Sequence, residues 1–95
     1  MVNWQIDDSY GASAMEQAAF LVIANRAIDL KGWDNRGGVS EYVFDQLQKE
    51  FPASGRKWVV LYDTNANFSI FTSYDKMFFA EEGGSRTEYL YAARV

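Results

Sequence analysis

The residue types that most often carry out enzyme chemistry are scarce in this 95-residue chain. It contains no histidine and no cysteine, so the commonest general base and the commonest ligands of transition metals are missing. Nucleophilic schemes that pair serine or cysteine with histidine are excluded for the same reason. The sequence therefore offers few catalytic constellations, and we expect no metal site and no other cofactor.

Two pairs of adjacent carboxylates remain as candidates for acid and base catalysis, Asp7-Asp8 and Glu81-Glu82. Such a role needs one group whose surroundings hold its pKa near the working pH, which usually means burial or a close charge. Both pairs lie beside residues that favour turns. We therefore interpret them as solvated surface charges.

One short motif, Asp63-x-Asn65-x-Asn67, has the first three ligand types of an EF-hand calcium loop. Phe68 stands where that loop needs glycine for its sharp turn, and Tyr74 stands where the bidentate glutamate belongs. The neighbouring segments also have the pattern of strands, whereas an EF-hand is flanked by helices. The motif does not predict a calcium site.

The composition and net charge of the chain limit the kinds of partner that it can bind. Apolar residues make up 48% of the chain and aromatic residues 17%, which is enough for the core of one folded domain spanning residues 1–95. The net charge is −4 and there is no basic run, so nucleic acid and anionic membranes are poor partners. The longest apolar run, Ala18 to Ala24, is too short to span a bilayer. We expect a soluble protein of the cytoplasm.

The segment from Val39 to Asp63 organises the predicted fold. Apolar residues recur every four positions in its first half, as they do on the core-facing side of an amphipathic helix. Ser40 is expected to cap the start of this helix, and Pro52 to end it. The stripe consists of Val39, Val43, Phe44, Leu47 and Phe51.

The second half of this segment contains a strand, Trp58 to Tyr62, in which every residue is apolar or aromatic. Alternate residues of a strand point to opposite faces, so this strand is apolar on both. Such a strand needs cover on both faces, and we expect it to be central in the sheet.

The other segments follow from periodicity and turn signals. The helix predicted from Ser13 to about Ile28 is apolar around most of its circumference, so it is expected to be largely buried. Together they predict an α+β fold in which two helices pack on an antiparallel sheet of four to five strands. The segments are an edge strand at Val2 to Ile6, a turn at Asp7 to Gly11, a helix from Ser13 to about Ile28, and strands at Asn65 to Ser73, Lys76 to Glu82 and Thr87 to Val95, the last two joined by Gly83-Gly84.

From about Ile6 to Val95, this order of elements resembles the dynein light chain family. The second helix ends in an aromatic residue, Phe51, and a loop leads to the segment Trp58-Val59-Val60-Leu61, which is similar to the family's Trp-led strand. The chain departs from the family at Thr72-Ser73, where a His-Glu pair is usual, and at Asp63-Thr64. With these departures it resembles light-chain-like domains, such as those of flatworm tegumental calcium-binding proteins, at least as much as the dynein subunit.

The resemblance implies a non-catalytic homodimer in which one strand crosses to the partner's sheet. It also implies a groove beside the second helix, where a short linear peptide of another protein, such as a dynein complex component, adds as a further strand. A cytoplasmic, cytoskeleton-associated protein is implied. By position, the peptide-binding residues are Asn65, Asn67, Ser69, Phe71, Met77 and Phe79, and the dimer-interface residues are Tyr42, Phe68, Ile70 and Thr72.

Two other interpretations remain open. The chain is alternatively a structural or self-assembly domain of a larger calcium-binding, tegument-like protein, with a closed or altered groove. A small-ligand binder or an unrecognised enzyme is the third possibility, and a ligand site would be supported if Trp4, Trp33 and Trp58 clustered around one cavity. Four of the residues assigned above also suit an ordinary core, namely Phe68, Ile70, Met77 and Phe79.

Overall fold

The computed structural model describes residues 3–52, 55–65, 73–84 and 87–95. These residues form two helices and a four-stranded antiparallel sheet with strand order β1-β3-β4-β2, so the predicted α+β class is confirmed. The elements are β1 (Trp4–Tyr10), α1 (Ala14–Lys31), α2 (Arg36–Glu50), β2 (Trp58–Asp63), β3 (Lys76–Glu82) and β4 (Glu88–Arg94).

Both helices pack on the same face of the sheet. The core cluster joins α1 and α2 to alternate residues of every strand, among them Phe78, Leu90 and Ala92, which are fully buried. Phe20 of α1 stacks on Phe78 with ring centroids 4.5 Å apart. Leu47 of α2 is also fully buried, as the apolar stripe predicts. The helices and this sheet face therefore enclose one continuous core.

Helix α1 begins where the sequence predicts but is less buried than expected. Ser13 caps it, accepting a hydrogen bond from the backbone N–H of Glu16, whose side chain accepts from Ser13 in return. However, Met15 is 84% exposed and Val22 is 54% exposed. The expectation of a largely buried helix is wrong, because α1 packs on one side of a single-layer sheet and its outer face has no element over it among the described residues.

Helix α2 begins earlier than the predicted cap, Ser40. Asn35 is its N-cap, and the Asn35 side chain accepts a hydrogen bond from the backbone N–H of Gly38 at 3.0 Å. A Cβ on Gly38 would lie 2.5 Å from that side chain, so glycine permits the cap. The end of the helix is as predicted, with Phe51 as C-cap before Pro52.

Strand β1 is longer than predicted. The turn expected at Asp7 to Gly11 is wrong up to Tyr10, because those residues continue the strand against β3. The pairing shifts register between Ile6 and Asp8, so Asp7 is the extra residue at this irregularity and Asp8 pairs with Phe79. Local preference of aspartate for turns is overridden here by pairing with β3.

Among the described strands, β2 lies at an edge of the sheet, whereas the sequence predicts a central strand. Its only pairing among the described strands is with β4. The hairpin between β3 and β4 around Gly83-Gly84 forms as predicted. The strand predicted at Asn65 to Ser73 lies mostly outside the described residues.

Candidate functional site

A groove of about 460 Å³ lies between the C-terminal half of α2 and the start of β2. Phe44 and Gln48 are one helical turn apart, so both face the groove from α2. No residue of β1, β3 or β4 is among its described walls. The lining residues are Phe44, Gln48, Pro52, Arg56, Lys57 and Trp58.

The apolar wall of the groove is fixed to the core through Trp58. This side chain is 5% exposed, and its indole N–H donates to the backbone carbonyl of Phe51 at 3.2 Å. Its ring contacts the rings of Phe51 and Phe78, with centroids 6.1 Å and 6.2 Å away. The indole is therefore held in one position, and a ligand in the groove meets a preformed surface.

Two cations stand at the groove. Arg56 forms an ion pair with Asp75 (Nε to Oδ2, 3.4 Å), and Asp75 also accepts two hydrogen bonds from Arg94, at 2.8 and 3.0 Å. Hydrogen bonding to Arg94, together with the charges of Arg94 and Arg56, lowers the pKa of Asp75. Lys57 is exposed at the surface. Asp75 offsets only one of the nearby cations, so Arg56, Arg94 and Lys57 together leave an excess of positive charge beside the groove.

The backbone of β2 has one edge directed away from the sheet. Lys57 and Val95 exchange two backbone hydrogen bonds, at 2.8 and 2.7 Å, which makes them a hydrogen-bonded pair of the β2–β4 ladder. Such pairs alternate along antiparallel strands, so Val59 and Leu61 also direct their N–H and C=O groups toward β4. Trp58 and Val60 then direct theirs outward. A strand added to this edge would pair with those outward groups.

Most of the predicted peptide-binding and dimer-interface residues lie outside the described residues. This holds for Asn67, Ser69 and Phe71 of the peptide set, and for Phe68, Ile70 and Thr72 of the dimer set. Asn65 is described; it is exposed and follows β2 by two residues.

The described members of the predicted site do not lie together at the groove. Phe79 and Met77 alternate with core residues of β3, so they lie on the sheet face opposite the helices. There Phe79 stacks on Tyr89 with centroids 5.8 Å apart. Tyr42 lies on α2, half-buried against the core. Sequence reasoning missed Gln48, Arg56 and Lys57, although the basic pair directly before Trp58 is visible as a signal.

The first residue of α2, Arg36, contacts both Glu88 and Tyr62. Arg36 donates to both carboxylate oxygens of Glu88, at 2.7 and 3.4 Å, and its guanidinium lies 4.4 Å from the ring centroid of Tyr62. The hydrogen bond with Glu88 raises the pKa of Arg36. This arginine therefore links the helix to β4 and β2.

The three tryptophans do not surround one cavity. Trp4 and Trp33 are neighbours, with centroids 6.1 Å apart, but neither lines the groove that Trp58 helps to form. The clustering that would support a small-ligand site is therefore not seen at this groove.

One of the two carboxylate pairs differs from expectation. Glu82 is 3% exposed and accepts a hydrogen bond from the backbone N–H of Gly84, so its interpretation as a solvated surface charge is wrong. Asp7 and Asp8 are exposed, as expected.

Neither a scan of protein-family models nor a search of curated proteins finds a match to this chain. Among the described residues, neither helix is long and apolar enough to cross a membrane. The same residues contain no group of three aspartate or glutamate side chains that is arranged to hold a metal ion.

Proposed function

We propose that this chain is a non-catalytic protein-interaction domain of the dynein light chain type. In this proposal it forms a homodimer by strand exchange and binds a peptide segment of another protein by strand addition beside α2. Its partners are a second copy of itself and short linear peptides, which on the family resemblance include dynein complex components. Such a domain works in the cytoplasm, in association with the cytoskeleton.

The observation that carries this proposal is the position of β2. Its side chains are apolar on both faces, and it is an edge strand among those described. A hydrophobic edge strand with outward N–H and C=O groups favours pairing with another chain. An exchanged strand from a second copy would satisfy these outward groups.

The groove supports the peptide-binding part of the proposal. It lies beside α2 and the start of β2, where a peptide that adds as a further strand outside the exchanged one would find apolar side chains. Specificity in strand addition comes from pockets for alternate side chains, and Phe44, Pro52 and Trp58 offer such a pocket. The geometry therefore suits an extended peptide.

The edge can be tested by removing one outward N–H group. Val60→Pro deletes a donor that faces away from β4, so we expect the fold to survive and the dimer to dissociate. Val60→Ala is the matched control, because it shortens the side chain further but keeps the donor. Sedimentation velocity at tens of micromolar should show a dimer for the parent chain and Val60→Ala, and a monomer for Val60→Pro.

A second variant, Ile70→Pro, tests the strand predicted at Asn65 to Ser73, and it should also yield a monomer. A parent chain that sediments as a monomer at tens of micromolar contradicts strand exchange without any variant. Titration of the dimer with peptides distinguishes a peptide-binding domain from the remaining alternative. A dimer that binds no peptide is the outcome expected of a structural or self-assembly domain with a closed groove.

A further inference from the structure

We propose that the groove beside α2 selects an acidic peptide, one in which an aspartate or glutamate lies next to an apolar residue. This inference rests on the proposed peptide-binding function and specifies its ligand. The acidic side chain pairs with Arg56 and Lys57, while the apolar side chain packs against Phe44, Pro52 and Trp58.

Charge complementarity is the first argument. Both charged residues that line the groove are cations, although the chain as a whole carries a net charge of −4. Charges farther than about 10 Å from a ligand are largely screened at ordinary ionic strength. Within that range Asp75 is balanced by Arg94, with which it makes its shorter contacts, so Arg56 and Lys57 decide which ligand charge is favoured. A basic peptide would meet two like charges there, whereas an acidic one meets two opposite charges.

The hydrogen-bonding capacity of Arg56 is the second argument. A guanidinium has five N–H donors, and the ion pair of Arg56 with Asp75 involves Nε at 3.4 Å. Asp75 makes its shorter contacts, 2.8 and 3.0 Å, with Arg94. Arg56 therefore retains donors that suit the planar, bidentate geometry of a peptide carboxylate.

The fixed position of Lys57 is the third argument. Its two backbone hydrogen bonds to Val95 hold it at the end of the β2–β4 ladder, directly before the first residue whose N–H and C=O groups point outward, Trp58. A peptide in the groove, which Trp58 also lines, must then pass beside Lys57. The lysine side chain can reach a carboxylate on that peptide without any change in the backbone.

The test is selection of peptides from a phage-displayed library of random 12-residue sequences, with the full chain as bait. Three baits are compared: the parent chain, Lys57→Glu, and Arg26→Glu. Arg26 is exposed on α1, so its reversal changes the net charge equally but away from the groove. Circular dichroism of each bait first confirms an unchanged fold.

We expect peptides selected by the parent chain and by Arg26→Glu to carry an aspartate or glutamate beside an aliphatic or aromatic residue. The best acidic peptide, measured by fluorescence anisotropy, should bind Lys57→Glu about three- to tenfold more weakly. The same peptide with lysine in place of its acidic residue should lose a similar factor on the parent chain. Affinity for the acidic peptide should fall as salt rises.

Two results overturn the inference in different ways. Selected peptides with no acidic preference, or with unchanged affinity for Lys57→Glu, overturn the ligand assignment and leave peptide binding intact. A dimeric parent chain that enriches no peptide at all overturns both the ligand assignment and the peptide-binding function.

Discussion

Arg36 and Glu88 form a bidentate ion pair between the first turn of α2 and the first residue of β4. Glu88 is 1% exposed, whereas the Arg36 side chain keeps 35% of its surface in contact with solvent. The two partners therefore differ in solvent exposure: the carboxylate is buried, and the partly exposed guanidinium lies between it and the solvent. Tyr62 lies beneath the guanidinium and donates its own hydroxyl to the carbonyl of Trp33 at 2.9 Å.

Removing the arginine should be costly because the carboxylate stays behind. Arg36→Ala leaves Glu88 buried without its bidentate partner, so we expect the free energy of unfolding to fall by about 1–3 kcal/mol. Arg26→Ala on the exposed side of α1 removes an equal charge and should change the free energy of unfolding by no more than about 0.5 kcal/mol. Urea denaturation measures both. Equal effects of the two variants would mean that the ion pair contributes nothing to stability.

Leu47 lies at the centre of the α2 stripe and is fully buried. Leu47→Ala removes buried methyl groups and leaves a cavity against the sheet, which should cost about 2–5 kcal/mol in urea denaturation. Lys49→Ala, two residues along on the exposed side of α2, provides the control. A loss below about 1 kcal/mol for Leu47→Ala would contradict tight packing of the stripe.

Acid should weaken the fold partly through Asp75. Because Arg94 and Arg56 lower its pKa, the stabilising contribution of Asp75 is present above the unfolded value of about 4 and is lost as pH falls through the folded value. The stability gap between the parent chain and Asp75→Asn should therefore narrow as pH is lowered from 6 to 2.5. Asp45→Asn, at an exposed site on α2, is the control. Urea midpoints at the two pH values give the comparison, and a constant gap for Asp75→Asn would rule out this linkage.

Between pH 6 and 8, in contrast, a dimer of this chain should keep a constant dissociation constant. There is no histidine, unperturbed carboxylates titrate near 4, and tyrosine and lysine titrate near 10. Asp75 titrates even lower, and burial raises the pKa of Tyr91, which moves both groups away from this window. Sedimentation at the two pH values tests this. A tenfold change, about 1.4 kcal/mol, would reveal a carboxylate with a strongly raised pKa.

Local signals in the sequence were enough to predict the helices and the last hairpin. The four-residue period places Leu47 in the core, Pro52 ends α2, and Gly83-Gly84 joins β3 to β4. The class of fold follows from these elements. Each of these features depends on interactions among residues close in sequence, which a single chain shows directly.

Features that depend on distant residues could not be predicted in the same way. The apolar side chains of β2 indicate that its faces are covered, but they do not say how many strands lie beside it. Asp7 and Asp8 favour a turn locally, yet pairing with β3 keeps them in a strand. The groove escaped prediction because Phe44 and Trp58 are brought together only by the packing of α2 on β2.

The alternating backbone of β2 makes hydrogen exchange a direct measure of what lies at its edge. The amides of Val59 and Leu61 face β4, and they should exchange slowly whether or not another chain is present. The amide of Val60 faces outward, so it should exchange quickly in an isolated chain and slowly once a strand is added. If protection changes from alternate residues to every residue of β2, the outer edge of β2 is occupied. Slower exchange of the Val60 amide reports this at single-residue resolution, and it needs neither a label nor a known ligand.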